Sequence, residues 1–260
     1  LLTNLWRFSR ETALACTAAL QFLTVAGPLG GRLYSDKEMG RAVGAFPLVG
    51  LMLGGTLVGA DALLGLVWKG NGLQVALLLA IWVILTGALH ADGFLDCCDG
   101  LFGGRTPQER LDIMRDPHVG AFGVIGGVLL FLLKFTALNA AHRWTALLLA
   151  PTLARWCVSW AVFRYPYARA EGLGRMMKDN VGWPDLCFAT VIAVLLTGFV
   201  AIFSGPAVPL FMAAAFFATC LLARLAMKRI PGLTGDVYGA ICELTELLVL
   251  ALMSSPFVGS

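Results

Sequence analysis

The feature that most constrains this chain is the stretch from His90 to Asp116, HADGFLDCCDGLFGGRTPQERLDIMRD, which follows a long apolar run and holds six of the chain's 16 acidic side chains. Asp92, Asp96 and Asp99 stand at i, i+4 and i+7, so at roughly 100° per residue they share one helix face. Three carboxylates that close, beside apolar surroundings, repel one another unless a cation neutralises them. All-oxygen ligation suits Mg²⁺, with Mn²⁺ as the alternative, and the waters that Mg²⁺ keeps leave room for phosphate oxygens. Glu109, Asp112 and Asp116 repeat the pattern at i, i+3 and i+7, and Asp112 and Asp116 join the first three as candidate ligands. Between the two sets, Gly100-Leu101-Phe102-Gly103-Gly104-Arg105-Thr106-Pro107 turns the chain and lets its backbone approach a ligand closely. The expectation is two short acidic helical faces joined by a turn. A solvated cap paired with Arg105, Arg110 and Arg115 explains Glu109 and Asp112 equally well. It does not explain the first triple, which has no nearby cation before Arg105.

With 58% hydrophobic and 13% charged residues and a mean hydropathy of +0.80, the chain is too apolar for a soluble globular domain. It reads as one all-α domain over 1–260, a polytopic membrane bundle, with the acidic segment at about 90–118. Apolar runs place seven spans at roughly 42–66, 73–91, 119–138, 145–163, 187–204, 208–226 and 237–254. Residues 12–26 are ambiguous, and a signal peptide has the same outline, but no small-x-small site follows them. Arg32, Lys37, Arg41, Arg105, Arg110, Arg115, Arg164, Arg169, Arg175, Lys178, Arg224, Lys228 and Arg229 fall on one side of this arrangement, and Lys69 and Arg143 on the other. Keeping Arg7 and Arg10 on the basic side makes the first segment an interfacial helix, and the basic side is cytoplasmic. The acidic stretch then lies on the cytoplasmic face of the membrane. A net charge of +3 requires no nucleic-acid partner. The seven cysteines include no C-x-x-C pair, and Cys97 and Cys98 read as small fillers in an oxygen-rich site, with zinc the lesser alternative.

The turn Gly27-Pro28-Leu29-Gly30-Gly31-Arg32 could cradle an anion, though most such turns only turn. Gly50, Gly54, Gly55 and Gly59 suit close helix packing, and Asp61 falls at the far interface. His90 reads as an interfacial hydrogen bonder. Lys134 and Arg155 lie within apolar runs, where a cation is expensive and marks a functional site with an anionic partner; snorkelling is the alternative for Lys134. Arg169, Arg175 and Lys178 sit in a long glycine-containing loop that either clamps phosphate or only sets topology. Asp236, Glu243 and Glu246 share a broad face of the last helix, and the two glutamates need Lys134, Arg155 or a metal as partner.

A carboxylate-rich metal site with basic loops, set in a membrane bundle, suits phosphoryl transfer between a membrane-associated substrate and a second one. Asp92-Gly93-Phe94-Leu95-Asp96-Cys97-Cys98-Asp99-Gly100-Leu101-Phe102-Gly103-Gly104, Arg110-Leu111-Asp112-Ile113-Met114-Arg115-Asp116 and Gly120-Ala121-Phe122-Gly123 resemble the signature of the cobalamin synthase (adenosylcobinamide-GDP ribazoletransferase) family. Phe46-Pro47-Leu48-Val49-Gly50 and Leu233-Thr234-Gly235-Asp236, with Gly239-Ala240 and Glu243, resemble the same family, so the likeness covers most of the chain. It departs mainly at Cys97-Cys98, where small residues are expected. The resemblance implies a Mg²⁺-dependent membrane enzyme that joins α-ribazole or its 5′-phosphate to adenosylcobinamide-GDP and releases GMP. It also implies contact with membrane lipid and either a homo-oligomer or other corrinoid-assembly enzymes. In those terms Asp92, Asp96 and Asp99 hold the metal at the diphosphate, Asp116 or Glu243 is the base, and Arg105, Arg115 and Lys178 offset phosphate charge. Two other readings stay open. CDP-alcohol phosphotransferases carry a related aspartate run, but Leu95-Asp96 stands where Ala-Arg belongs. A divalent-cation transporter would place its acids near the midplane, often in repeated halves.

Overall fold

A computed structural model describes residues 2–26, 32–68, 70–256 and 258. The turn at Gly27–Gly31, Lys69 and the side chains of Arg7 and Arg10 lie outside the described residues. Among them the chain forms eleven helices and no strand: α1 (Leu2–Leu23), α2 (Asp36–Trp68), α3 (Gly72–Leu85), α4 (Leu89–Gly103), α5 (Pro107–Ile113), α6 (Ala121–Ala140), α7 (Arg143–Arg164), α8 (Leu173–Asn180), α9 (Trp183–Ser204), α10 (Val208–Met227) and α11 (Gly235–Met253). The protein is an all-α membrane bundle, as helices satisfy their backbone groups internally where water is absent.

Five helices, α2, α6, α7, α9 and α10, are long and apolar enough to cross a membrane. Two of the seven expected spans differ from them. The run expected at 73–91 is broken, because Gly87 and Ala88 both take left-handed backbone, φ 59° and 58°, and α4 leaves α3 at 89°. The fourteen residues of α3 rise only about 21 Å, so α3 and α4 together make at most one bent span. The run expected at 237–254 becomes α11, whose length suits a span but whose Asp236, Glu243 and Glu246 exceed the charge of an apolar crossing.

α7 is the centre of the bundle, with buried residues along nearly its whole length. α2 lies against it at two glycines. A Cβ on Gly50 would come 2.4 Å from the Pro151 carbonyl oxygen, and one on Gly54 2.5 Å from that of Leu147. α1 lies across the basic end of α2. Glu11 pairs with Arg41 at 2.7 Å and Phe22 stacks on Phe46 at 6.0 Å. At the opposite end Arg143 meets Asp61 at 3.1 Å.

Gly50→Val should lower stability by about 1–3 kcal/mol through overpacking, read as the unfolding midpoint of detergent-solubilised protein. Gly55→Ala, where a Cβ meets nothing within 4 Å, should leave that midpoint unchanged or raised.

Candidate active site

The acids gather where two backbones approach closely. On α4, a Cβ at Gly93 would lie 3.0 Å from the Asp236 Cα, and on α11 a Cβ at Gly239 would lie 2.9 Å from the His90 carbonyl oxygen. Only glycine permits that crossing. It sets Asp92 and Asp96, one turn apart on α4, against Asp236 in the first turn of α11. Asp96 is within electrostatic reach of Asp92, Asp99 and Asp236, with Arg169 as the cation among them.

Arg169 arrives by a short backbone pairing. The Leu233 N–H donates to the Pro166 carbonyl and the Ala168 N–H to the Leu233 carbonyl, both at 2.8 Å. This clips the loop after α7 to the lead-in of α11. The Arg169 guanidinium then donates to Asp236 Oδ2 at 2.7 Å, and the Thr234 hydroxyl lies 3.1 Å from the same oxygen. Beside them opens a cavity of about 370 Å³ whose polar wall is Asp92, Arg115, Arg169, Glu171 and Asp236. Tyr167 and Tyr238, stacked at 6.1 Å, Phe46 and Val162 supply apolar wall. His90 lines it too, buried and with no partner for Nδ1. Sequence reasoning counted Arg169 with the loop and His90 as a boundary residue, and it passed over Glu171, Tyr167 and Tyr238. The clip depends on a long-range pairing that no local pattern announces.

The other expected site residues fall in three places. Asp99 anchors α6, since Oδ2 accepts the Gly120 N–H at 2.7 Å and Oδ1 the Gly123 N–H at 2.8 Å. A Cβ at either glycine would stand 2.5 or 2.4 Å from that carboxylate, so the Gly120-Ala121-Phe122-Gly123 motif is the seat of Asp99. Arg105, Asp112 and Asp116 are exposed and Arg175 is half-buried, and none of them lines the cavity. Glu109 completes a capping box with Thr106, Asp112 accepts from Gln108 at 2.9 Å, and Arg175 pairs with Asp179 at 2.7 Å. Asp116 accepts the His118 N–H at 2.9 Å, and that bond first, then the His118 ring, holds its carboxyl below the usual range. Lys178 donates to the Phe163 carbonyl at 2.6 Å, and burial lowers its ammonium pKa.

Lys134, Arg155, Glu243 and Glu246 form a separate cluster inside the bundle. Lys134 Nζ donates to Glu243 and, at 2.6 Å, to Glu246, while Arg155 pairs with Glu246. None of the four is more than 7% exposed, and Lys134 also sits 5.2 Å over the Trp82 ring. Two cations and two carboxylates thus neutralise one another, and Glu243 faces this cluster, not the cavity.

Chemically, the cavity offers hard oxygen donors on one wall and guanidinium groups beside them. Among the described residues no three His, Cys, Asp or Glu side chains are placed to hold a metal by themselves. Mg²⁺ does not require that, since it commonly binds through one or two carboxylates, waters and substrate phosphates. Asp92 and Asp96 fit that mode.

A model of the cobalamin-5-phosphate synthase family matches residues 15–254. The chain is 38% identical over 239 residues to an adenosylcobinamide-GDP ribazoletransferase of Desulforamulus reducens, covering 90% of this chain and 94% of that one. It is 40% identical over 249 residues to the protein of that name in Pseudomonas savastanoi pv. phaseolicola (91% and 97%), and 36% identical over 241 residues to that of Herpetosiphon aurantiacus (91% and 94%). No solved structure matches.

Two substitutions separate scaffold from cavity. Asp99→Ala strands two backbone N–H groups and should cost about 1–3 kcal/mol of stability, whereas Asp92→Ala should leave the unfolding midpoint near that of the parent. Lys134→Met leaves the buried Glu243 without its cation, Glu246 keeping Arg155, and should cost about 3–5 kcal/mol, with the double change Lys134→Met and Glu243→Gln recovering part of it in the same measurement.

Proposed function

The chain belongs to the cobalamin-5-phosphate synthase family, and from that premise we propose that it transfers the adenosylcobinamide phosphoryl group from adenosylcobinamide-GDP to α-ribazole or α-ribazole 5′-phosphate, releasing GMP. It is a transferase of the last stage of cobalamin synthesis. The observation that carries the proposal is the meeting of Asp92 and Asp236 with Arg115 and Arg169 at one cavity, with Asp96 behind that wall and within electrostatic reach of Asp92 and Asp236. That cavity lies at the end of the bundle rich in Arg and Lys, which the charge bias assigns to the cytoplasmic face of a bacterial inner membrane.

Arg115 and Arg169 bind and orient the diphosphate, offsetting its charge as the guanidinium fork allows. Asp92 and Asp96 would hold Mg²⁺, which supplies charge neutralisation at the diphosphate and polarises the phosphorus. A ribazole hydroxyl oxygen attacks the phosphorus on the cobinamide side, a new P–O bond forms, and the P–O bond to GMP breaks. The hydroxyl proton needs an acceptor at the cavity wall. Asp236 is suited to that role, because Arg169 and Thr234 both engage Oδ2 and leave Oδ1. The buried Tyr238 and its partner Tyr167 give the nucleoside or base an aromatic surface and help exclude water. A cavity of about 370 Å³ is too small for a whole corrinoid, so the corrin ring stays outside while its phosphate arm enters.

The test is purified protein in liposomes with adenosylcobinamide-GDP, α-ribazole 5′-phosphate and Mg²⁺, following cobalamin 5′-phosphate and GMP by chromatography. Both products should form and disappear with chelator. Asp96→Asn should lower the rate on the order of a hundredfold or more with the protein still inserted. Near-normal turnover by that variant removes Asp96 from the site, and no product from either ribazole form with folded parent protein overturns the reaction.

A further inference from the structure

On the outer surface of the bundle, away from the cavity, two neighbouring clefts that share Trp160 and Phe216 make up a groove along α7, α9 and α10. Its deeper part, about 600 Å³, is lined by Trp156, Trp160, Trp183, Leu195 and Phe216, and Thr190 is its one hydroxyl side chain. The part nearer the basic end, about 480 Å³, shares Trp160 and Phe216 and ends at Arg164 and Arg224. The Trp160 and Phe216 rings meet at 5.1 Å and form the common floor. Val191, Val194 and Leu195 along the deeper part are more than half exposed, so this face of α9 looks into hydrocarbon. An occupant there has to be apolar along most of its length.

The basic end asks for something different. Arg164 and Arg224 are both exposed, and neither is ion-paired among the described residues, although Arg164 lies 5.9 Å from the centre of the Tyr165 ring. Most other cations at this end are engaged, Arg169 with Asp236, Arg175 with Asp179 and Arg229 with the Leu101 carbonyl. The Trp160 indole N–H, on the wall common to both parts, also has no hydrogen-bond partner, where an indole removed from water ordinarily finds one. An apolar slot in the membrane that ends in two unpaired guanidinium groups at the interface is complementary to one class of molecule.

We propose that this groove binds an anionic phospholipid, with an acyl chain along Trp156, Trp160 and Phe216 and the phosphate at Arg164 and Arg224. Guanidinium groups bind phosphate through paired N–H donors, and each cation near a membrane surface adds to the attraction for an anionic headgroup. The lipid lies in the surface clefts that α7, α9 and α10 line together.

The experiment uses the full chain in nanodiscs made from equal parts of phosphatidylcholine and phosphatidylglycerol, transferred to detergent and examined by native mass spectrometry for retained lipid. The parent should retain phosphatidylglycerol over phosphatidylcholine by roughly tenfold or more. The double variant Arg164→Gln/Arg224→Gln should bring the two lipids to parity, and Arg164→Lys/Arg224→Lys should keep most of the preference. Lys228→Gln, at the same end but outside the groove, should leave it intact. Parity in the parent, a preference that survives the double Gln variant, or an equal loss in Lys228→Gln overturns the proposal. So does cross-linking through a cysteine at Val194 that shows a second copy of the chain seated in the groove.

Discussion

The site depends on the absence of two side chains. Where Gly93 of α4 meets Gly239 of α11, the backbones pass at a distance that no Cβ allows, and the aspartates flanking the crossing are carried in with them. Carboxylates do not gather at an apolar boundary by attraction to one another. They are held by the covalent geometry of helices whose packing is favourable elsewhere, along Cys97, Val237 and Ile241. The cavity is therefore charged because the scaffold imposes it, and a cationic ligand or Arg169 relieves what the scaffold compresses.

Two devices hold that crossing in place. On one side the pairing of Leu233 with residues 166–168 fixes where α11 begins and delivers Arg169 to Asp236. On the other, Glu243 and Glu246, two and three turns further along α11, reach Lys134 of α6 and Arg155 of α7. Those charges would each be costly alone in the membrane. Together they fix the rotation of α11 about its axis, because only one helix face can serve both cations. Asp99, by taking the first N–H groups of α6, does the same for the join between α4 and α6.

Much of this was legible in the residues. The spacing of Asp92 and Asp96 put them on one face, and the buried glutamates called for Lys134, Arg155 or a metal, of which the structure supplies the two cations. Asp99 shows where spacing stops being informative. It shares the helical face of the other two, yet its two oxygens are taken by backbone donors twenty-one and more residues away. The break at Gly87-Ala88 was equally hidden, since hydropathy runs through it without interruption and a left-handed Ala has no compositional mark. Arg169 looked like any other loop cation until the clip at Leu233 gave it a position. Local periodicity records faces and burial, and it is silent about which distant backbone a side chain will serve.

The buried ion cluster also has a place in time. Lys134 precedes its partner Glu243 by 109 residues, and Arg155 precedes Glu246 by 91. At synthesis rates of about 5–20 residues per second the cations wait on the order of ten seconds for the carboxylates that neutralise them. Until α11 is made, α6 and α7 each carry an unmatched charge that disfavours settling fully into lipid. Synthesis of α11 is thus the event that closes the core, and a bundle without α11 leaves Lys134 and Arg155 without the carboxylates that match them.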